Sequence, residues 1–325
     1  MRRPARARAL LVVLTALGLA LTACGSGPSQ ANSAAIVGEE SVPLGDVQHE
    51  IQWMIDNVPQ AKQAKQQRKL DNFARQAVSA RVMHELISVA AQREKLRVND
   101  SRVSDLINSS GGVQQASKAV GVAPERLRQV ARDQLLIEEL GRSYLDRLEV
   151  SFSGTVIADE RPGSTAKDQA MALGRKIAGD PDRADQLIRQ ASGQQQQSTN
   201  QRMTLAQSLS AGGDGQLASS ALFGTPANTV VVFQPSQQQA AWLVALVEER
   251  DTRANASASG AGQQASSQVL YQIGVRMLAP LANELGVRIN PRYGVWDQVA
   301  MTISPNEDQL AGYELPVRDQ PTAKP

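Results

Sequence analysis

Apolar residues recur along the first half of the chain at three- and four-residue steps, the period of an α-helix with one buried stripe. Leu44, Val47, Ile51, Met54 or Ile55, and Val58 make one such stripe, and Pro59 marks its end. Ahead of it, Ala34-Ala35-Ile36-Val37, Gly38-Glu39-Glu40 and Ser41-Val42-Pro43 read as a short strand, a turn and a second extended piece. A long helical pattern runs from about Arg68 to Leu96 through Phe73, Ala77, Ala80, Met83, Ile87 and Ala90. Asn99 then caps a short helix holding Val103, Leu106 and Ile107, closed by Gly111-Gly112. Pro124 sits in the first turn of a helix reaching about Leu148, with Leu127, Ala131, Leu135, Leu136, Leu140 and Tyr144 apolar.

The pattern changes near Glu149. Val150, Phe152 and Thr155-Val156-Ile157 predict a strand, Ser164 to Ala178 and Pro181 to Gln190 two helices, and Met203 to Leu209 a second strand. Ala191 to Gln201 and Ser210 to Gly215 read as loops from their Gln, Ser and Gly content. Ala218 to Phe223 suggests a short helix and Thr229 to Phe233 a strand. Ala240 to Glu248 is an almost continuous apolar run, as in a strand buried on both faces. After the low-complexity stretch from Asn255 to Ser267, a helix from Val269 to Leu285 carries Leu270, Ile273, Met277, Leu281 and Leu285, with Pro280 as a kink and Gly286 as its stop. Val287 to Asn290 reads as a strand entering a turn, and the chain beyond about Pro305 as a polar tail.

The leader changes this picture most. Arg2, Arg3, Arg6 and Arg8 precede an apolar run from about Ala9 to Ala20, followed by Leu21-Thr22-Ala23-Cys24. That is a cleavable signal with a lipobox, too short for a retained span, and Cys24 is the only cysteine. Cleavage before Cys24 and its acylation imply anchoring of the mature chain at a membrane on the extracytoplasmic side, since two or more acyl chains hold durably where one does not. The whole chain has 34 Lys and Arg against 32 Asp and Glu; without the four leader arginines the counts are 30 and 32. The basic excess is therefore the leader's, and Lys62, Lys65, Arg68 and Lys69 read as one solvated helix face, which leaves no footprint for nucleic acid. Aromatic residues are only 3% of the chain, which favours helices over a sandwich or barrel.

Candidate chemistry is sparse. His49 and His84, the only histidines, both fall in helical patterns and read as packed or surface side chains. No set of Cys, His and carboxylates has metal-ligand spacing, no serine sits in a nucleophile elbow, and Gly212-Gly213-Asp214-Gly215 and Gly260-Ala261-Gly262 lack the context of a phosphate cradle. Asp46, Glu50 and Asp56 read as a solvated face. Neither metal nor cofactor is expected. Trp53, Met54, Met83 and Met277 are adaptable groups of the kind that line a groove accepting varied peptides, and equally the kind that fill a core.

The element order resembles the SurA/PrsA class of exported chaperone-isomerases. Ala35 to Val42 resembles that family's opening strand, turn and strand, Arg97-Val98-Asn99-Asp100-Ser101-Arg102-Val103 its step into a short helix, and Pro124 to Val130 the start of its last N-domain helix. Residues 149–250 resemble a diverged parvulin domain, and Val287 to Trp296 the carboxy-terminal return onto the N-terminal module. Parvulin isomerases carry histidines on their first and last strands; here the first strand reads Val150-Ser151-Phe152-Ser153-Gly154-Thr155, and Trp242 holds approximately the second position. The resemblance therefore implies a mainly α protein with a smaller α+β domain. Its expected parts are a signal peptide over 1–23, a lipidated tether over 24–33, a SurA-like N-module over 34–148 and a degenerate parvulin-like domain over 149–250. A linker over 251–267, a C-terminal helix and strand over 268–304 that complete the N-module, and a polar tail over 305–325 follow. The function it implies is ATP-independent binding of unfolded or nascent exported polypeptides, with prolyl isomerisation or service to one dedicated envelope partner as alternatives.

Overall fold

A computed structural model describes residues 32–158, 163–192, 197–211, 215–235, 240–254 and 265–318. The signal peptide, Cys24, the tether up to residue 31, the Gly-rich stretch over 212–214 and the low-complexity stretch over 255–264 lie outside them.

The chain opens with a two-residue hairpin between β1 (Ser33–Val37) and β2 (Glu40–Pro43), in register Val37 to Glu40, with Gly38 at φ +59° supplying the left-handed turn. Every residue of β1 is buried, because the hairpin lies on the helices that follow. These are α1 (Leu44–Asn57), α2 (Pro59–Gln66), α3 (Asp71–Arg93), α4 (Asp100–Ser109), α5 (Gly112–Val120) and α6 (Pro124–Leu145). Pro59 does not merely end the first helix. It starts α2, since a proline lacks only a donor that a first turn leaves unpaired. Asn99 caps α4 as expected, its side chain accepting from the Ser101 N–H. Helix α5, flanked by Gly111 at φ +90° and Gly121 at φ +70°, was not legible in the apolar pattern, because only Ala116 and Ser117 are buried.

The second half builds a five-stranded antiparallel sheet in the order β10-β5-β6-β3-β4. Its strands are β3 (Glu149–Ile157), β4 (Gln197–Thr204), β5 (Thr229–Phe233), β6 (Trp242–Asp251) and β10 (Gly312–Pro316). Helices α7 (Ala166–Gly179) and α8 (Ala184–Ser192) cover one face, α7 starting in a capping box between Thr165 and Asp168. The strand expected at Met203 to Leu209 is displaced: β4 comes earlier, in the Gln- and Ser-rich stretch read as a loop, and Leu205–Ala211 form α9. As an edge strand β4 needs only backbone pairing to β3 and can be polar throughout, which hid it.

Alternation along β5 and β6 divides the apolar residues between the two faces. Val230, Val232, Trp242, Val244 and Leu246 pack under α7 and α8. Val231, Phe233, Ala245 and Val247 join a core continuous with the helical module. β6 is therefore buried on both faces, as its apolar run implied.

The expected helix from Val269 to Leu285 is broken at its proline into α10 (Ser267–Met277) and α11 (Ala279–Leu285), with Pro280 in the first turn of the latter. β7 (Val287–Ile289) then pairs antiparallel with β1, Ala35 opposite Ile289, and completes a sheet ordered β2-β1-β7. A hairpin of β8 (Val295–Asp297) and β9 (Thr302–Ser304) follows. The polar tail expected after Pro305 is corrected in part: β10 lies beside β5, and its Tyr313 and Leu315 pack with α7. Alternation over five residues in polar surroundings is a weak signal, and the partner strand is distant in sequence.

Candidate functional site

A groove of about 720 Å3 lies where the helical module meets the open side of the sheet. Helix α10 forms one wall, presenting Tyr271, Gln272, Val275 and Arg276. The other is the segment carrying Leu217, Ser219, Ser220 and Ala221, with Phe233 and Leu243 at the ends of β5 and β6 and the β8–β9 turn closing one end. Position along α10 decides the wall: Leu270, Ile273 and Met277 point into the core, which leaves Tyr271 and Val275, one turn apart, on the flank. Tyr271 is 38% exposed, and burial of its ring lifts the phenol above its ordinary value, with Asp133 adding in the same direction.

Two ionic groups fix the groove's shape. Arg276 donates from Nε to the Ser219 carbonyl at 2.7 Å and from Nη1 to the Val299 carbonyl, joining both walls. Its burial lowers the guanidinium's proton affinity, and Asp297 opposes that shift. Asp297, 2% exposed, accepts from the N–H groups of Val299 at 3.1 Å, Ala300 at 2.8 Å and Ala311 at 2.6 Å, so one carboxylate holds the turn and the approach to β10. Buried charges placed this way are structural. Apart from Arg276, whose guanidinium is tied to the Ser219 and Val299 carbonyls, the described lining is uncharged: apolar side chains, the amides of Gln216, Gln234 and Gln272, and the Tyr271 phenol. Among the described residues no histidine, cysteine or carboxylate lines it. Such a surface offers contact area and amide hydrogen bonds to an uncharged extended chain.

The side chains proposed from sequence as groove-lining lie elsewhere. Met54 is 2% exposed and fills the space beside Gly121. Met277 is 6% exposed, with its sulfur 3.6 Å from Arg250 Nη2. Trp53 and Met83 are half-buried against the same core. All four pack the helical module, the alternative that their helical spacing left open. Trp242 is also turned away from the groove, under α7, with Lys167 Nζ 5.6 Å from its ring centroid; Leu243 is the neighbour that faces it. The missed signal was the second stripe on α10, Tyr271 with Val275, beside the stronger Leu270-Ile273-Met277 stripe.

A second cleft, of about 620 Å3, runs between α3 and α6. His84 Nδ1 lies 2.8 Å from Asp133 Oδ2 and Nε2 meets the Gln129 amide. The hydrogen bond to Asp133 raises the imidazole above its ordinary value against the opposing effect of burial. His49 is exposed, 3.7 Å from Glu125. Among the described residues no three His, Cys, Asp or Glu side chains converge as a metal site would require, and no helix is long and apolar enough to cross a membrane.

The fold thus defines a helical module closed by its own carboxy-terminal return and fused to a small antiparallel α/β unit. Residues 1–141 match the family model of the SurA-like N-terminal domain, so the front of the chain is SurA-like in sequence. Among solved structures the chain is similar to the foldase protein PrsA from Lactococcus lactis, with 11% identity and a TM-score of 0.28 over 80% of this chain and 95% of that one. No curated protein matches the chain.

Proposed function

We propose that this protein is a membrane-tethered, extracytoplasmic chaperone that holds unfolded exported polypeptides without ATP, using the groove between α10 and the sheet, and that its α/β unit is a catalytically silent parvulin-like domain. The observation that carries the reading is the groove's lining, apolar and rich in side-chain amides, with the charge of Arg276 tied to backbone carbonyls, at the junction of a SurA-like module with a sheet. A client chain reaching it meets area that can cover an apolar side chain and amides that can pair with its peptide groups. The lipobox at Leu21 to Cys24 supports the tether. With no histidine, cysteine or carboxylate among the described residues of its walls, the groove favours holding over isomerisation.

The test uses the mature chain from residue 24 with Cys24→Ser, so that no lipid is attached. A chemically denatured client is diluted into buffer with and without it, and light scattering is followed. Suppressed scattering near equimolar ratio is expected; scattering unchanged at molar excess removes the chaperone reading. A protease-free proline-peptide assay on the same sample is expected to show no acceleration. Tethering is read separately, from release of the Cys24→Ser chain, and not of the native chain, out of the membrane fraction in a high-salt wash that screens electrostatic contacts.

A further inference from the structure

Helix α2 has no apolar stripe: its sequence is Pro-Gln-Ala-Lys-Gln-Ala-Lys-Gln, and Ala61 is its one buried residue. A short helix that is polar nearly all round adds little to a core, so its place in the fold is explained by what it displays. It displays cations. Lys62 and Lys65 lie on the helix, Arg68 and Lys69 in the turn after it, and all four are exposed, with no side-chain hydrogen bond or ion pair to the described residues. The turn is a closed C-cap in which Lys69 N–H bonds to Ala64 O and Arg68 N–H to Lys65 O, with Arg68 at φ +58°. That position favours glycine, so here a charge is kept against backbone preference. The carboxylates nearby in sequence do not neutralise the patch. Asp56 is engaged by the Gln52 amide, and Asp71 stands alone at the start of α3, with Arg75 one turn along it held to Asn72.

The chain's geometry places this patch near the anchor. Ser33 pairs with Pro43, the residue immediately before α1, so the tether leaves the fold beside the start of α1. Helix α1 has 14 residues, about 21 Å, and α2 begins at its far end. From Cys24 to Ser33 there are nine residue steps, at most about 30 Å of extended chain. A lipid on Cys24 therefore keeps α2 within reach of the surface that holds the lipid.

We infer that α2 and the turn through Lys69 form a docking surface for anionic phospholipid headgroups, which fixes the orientation of the anchored protein; this rests on the tethered reading above. Each lysine near an anionic bilayer contributes about fivefold in partitioning, and the interaction is screened by salt.

The lipid-free mature chain carrying Cys24→Ser is sedimented with vesicles of equal parts phosphatidylglycerol and phosphatidylcholine, and with vesicles of phosphatidylcholine alone. Binding to the first only is expected, weakened by salt. Lys62→Gln, Lys65→Gln and Lys69→Gln together are expected to lower it on the order of a hundredfold with an unchanged unfolding midpoint, while Lys95→Gln with Arg97→Gln, exposed cations just past the far end of α3, leave it unchanged. No binding to the anionic vesicles, binding unaffected by the three α2 substitutions, or transfer of the effect to duplex DNA overturns the inference. Because this chain carries no lipid, its result is independent of whether Cys24 is acylated, which the mass of the native mature protein reports.

Discussion

Gly141 on α6 and Gly274 on α10 face each other where the two helices cross. A side-chain carbon on Gly141 would lie 2.1 Å from Leu270 O, and one on Gly274 2.0 Å from Ile137 O, both far inside contact distance and both against backbone. The close approach lets α10 drive Leu270 and Ile273 into the core of a module whose other helices come some 130 residues earlier in the chain. It also sets the height at which Tyr271 and Val275 enter the groove.

Gly274→Ala is therefore expected to destabilise the protein by about 3 kcal/mol, the upper end for overpacking, because the helices must separate to admit the methyl group. Urea unfolding measures the loss. Limited proteolysis after residue 265 should accelerate in parallel, since the return strand β7 is held in place by α10 and α11. A neutral Gly274→Ala would mean the crossing is looser than these distances describe.

The amino-terminal helices are tied by a buried charge. Glu50, 2% exposed, accepts from Arg81 Nε at 3.1 Å and from Arg126 Nη1, joining α1, α3 and α6. Glu50→Ala leaves Arg126 without its carboxylate and Arg81 with Asp46 alone, and is expected to cost about 3 kcal/mol. Arg93 and Glu284 make a short bidentate pair at 2.7 and 2.8 Å but are 47% and 58% exposed, so Glu284→Ala should cost far less than Glu50→Ala. Thermal unfolding of the two variants side by side tests burial, rather than distance, as the determinant.

These two sites also mark what the sequence could disclose. Glu50 read as one of three solvated carboxylates, because its helix position says nothing of Arg81 and Arg126, which arrive from other helices. Leu270, Ile273 and Met277 were legible as a stripe, and so was the need for a partner; that the partner is α6, through two glycines, was not. In the five-stranded sheet the strands that escaped notice, β4 and β10, lie at its two edges, where one neighbour suffices and apolar alternation is weakest. The groove was illegible for the same reason: its walls come from α10, the 216–221 segment, the ends of β5 and β6 and the β8–β9 turn, and only the tertiary fold brings them together.

His84 gives a pH dependence with a definite sign. Its pKa is raised in the folded state by the hydrogen bond to Asp133, so its contribution to stability is complete below the unfolded value near 6.5 and is lost as pH rises through the folded value. The difference in urea midpoint between the wild type and His84→Gln should be larger at pH 5.5 than at pH 8. Asp133→Asn should abolish that difference. A gap between wild type and His84→Gln that is independent of pH would show that the imidazole contributes by packing alone.

Core and groove can be separated on helix α10 itself. Met277 is 6% exposed, so Met277→Ala removes buried volume and is expected to cost about 2–5 kcal/mol of stability while leaving client binding intact in the folded fraction. Tyr271 and Val275 line the groove and are partly open to solvent, so Tyr271→Glu and Val275→Glu place charge where an uncharged chain would lie. Each should change the unfolding midpoint little, by less than about 1 kcal/mol at Tyr271. Each should raise the molar ratio needed to suppress aggregation of a denatured client. Burying a carboxylate against an apolar segment is unfavourable whatever the client, so the effect should appear with several unrelated substrates and be partly relieved at acid pH, where the introduced carboxyl is neutral. Scattering assays with the two glutamate variants, run beside Met277→Ala at a temperature where all remain folded, decide it. If Met277→Ala loses potency and the glutamate variants keep it, clients bind at another surface, and the groove is a packing defect between the helical module and the sheet.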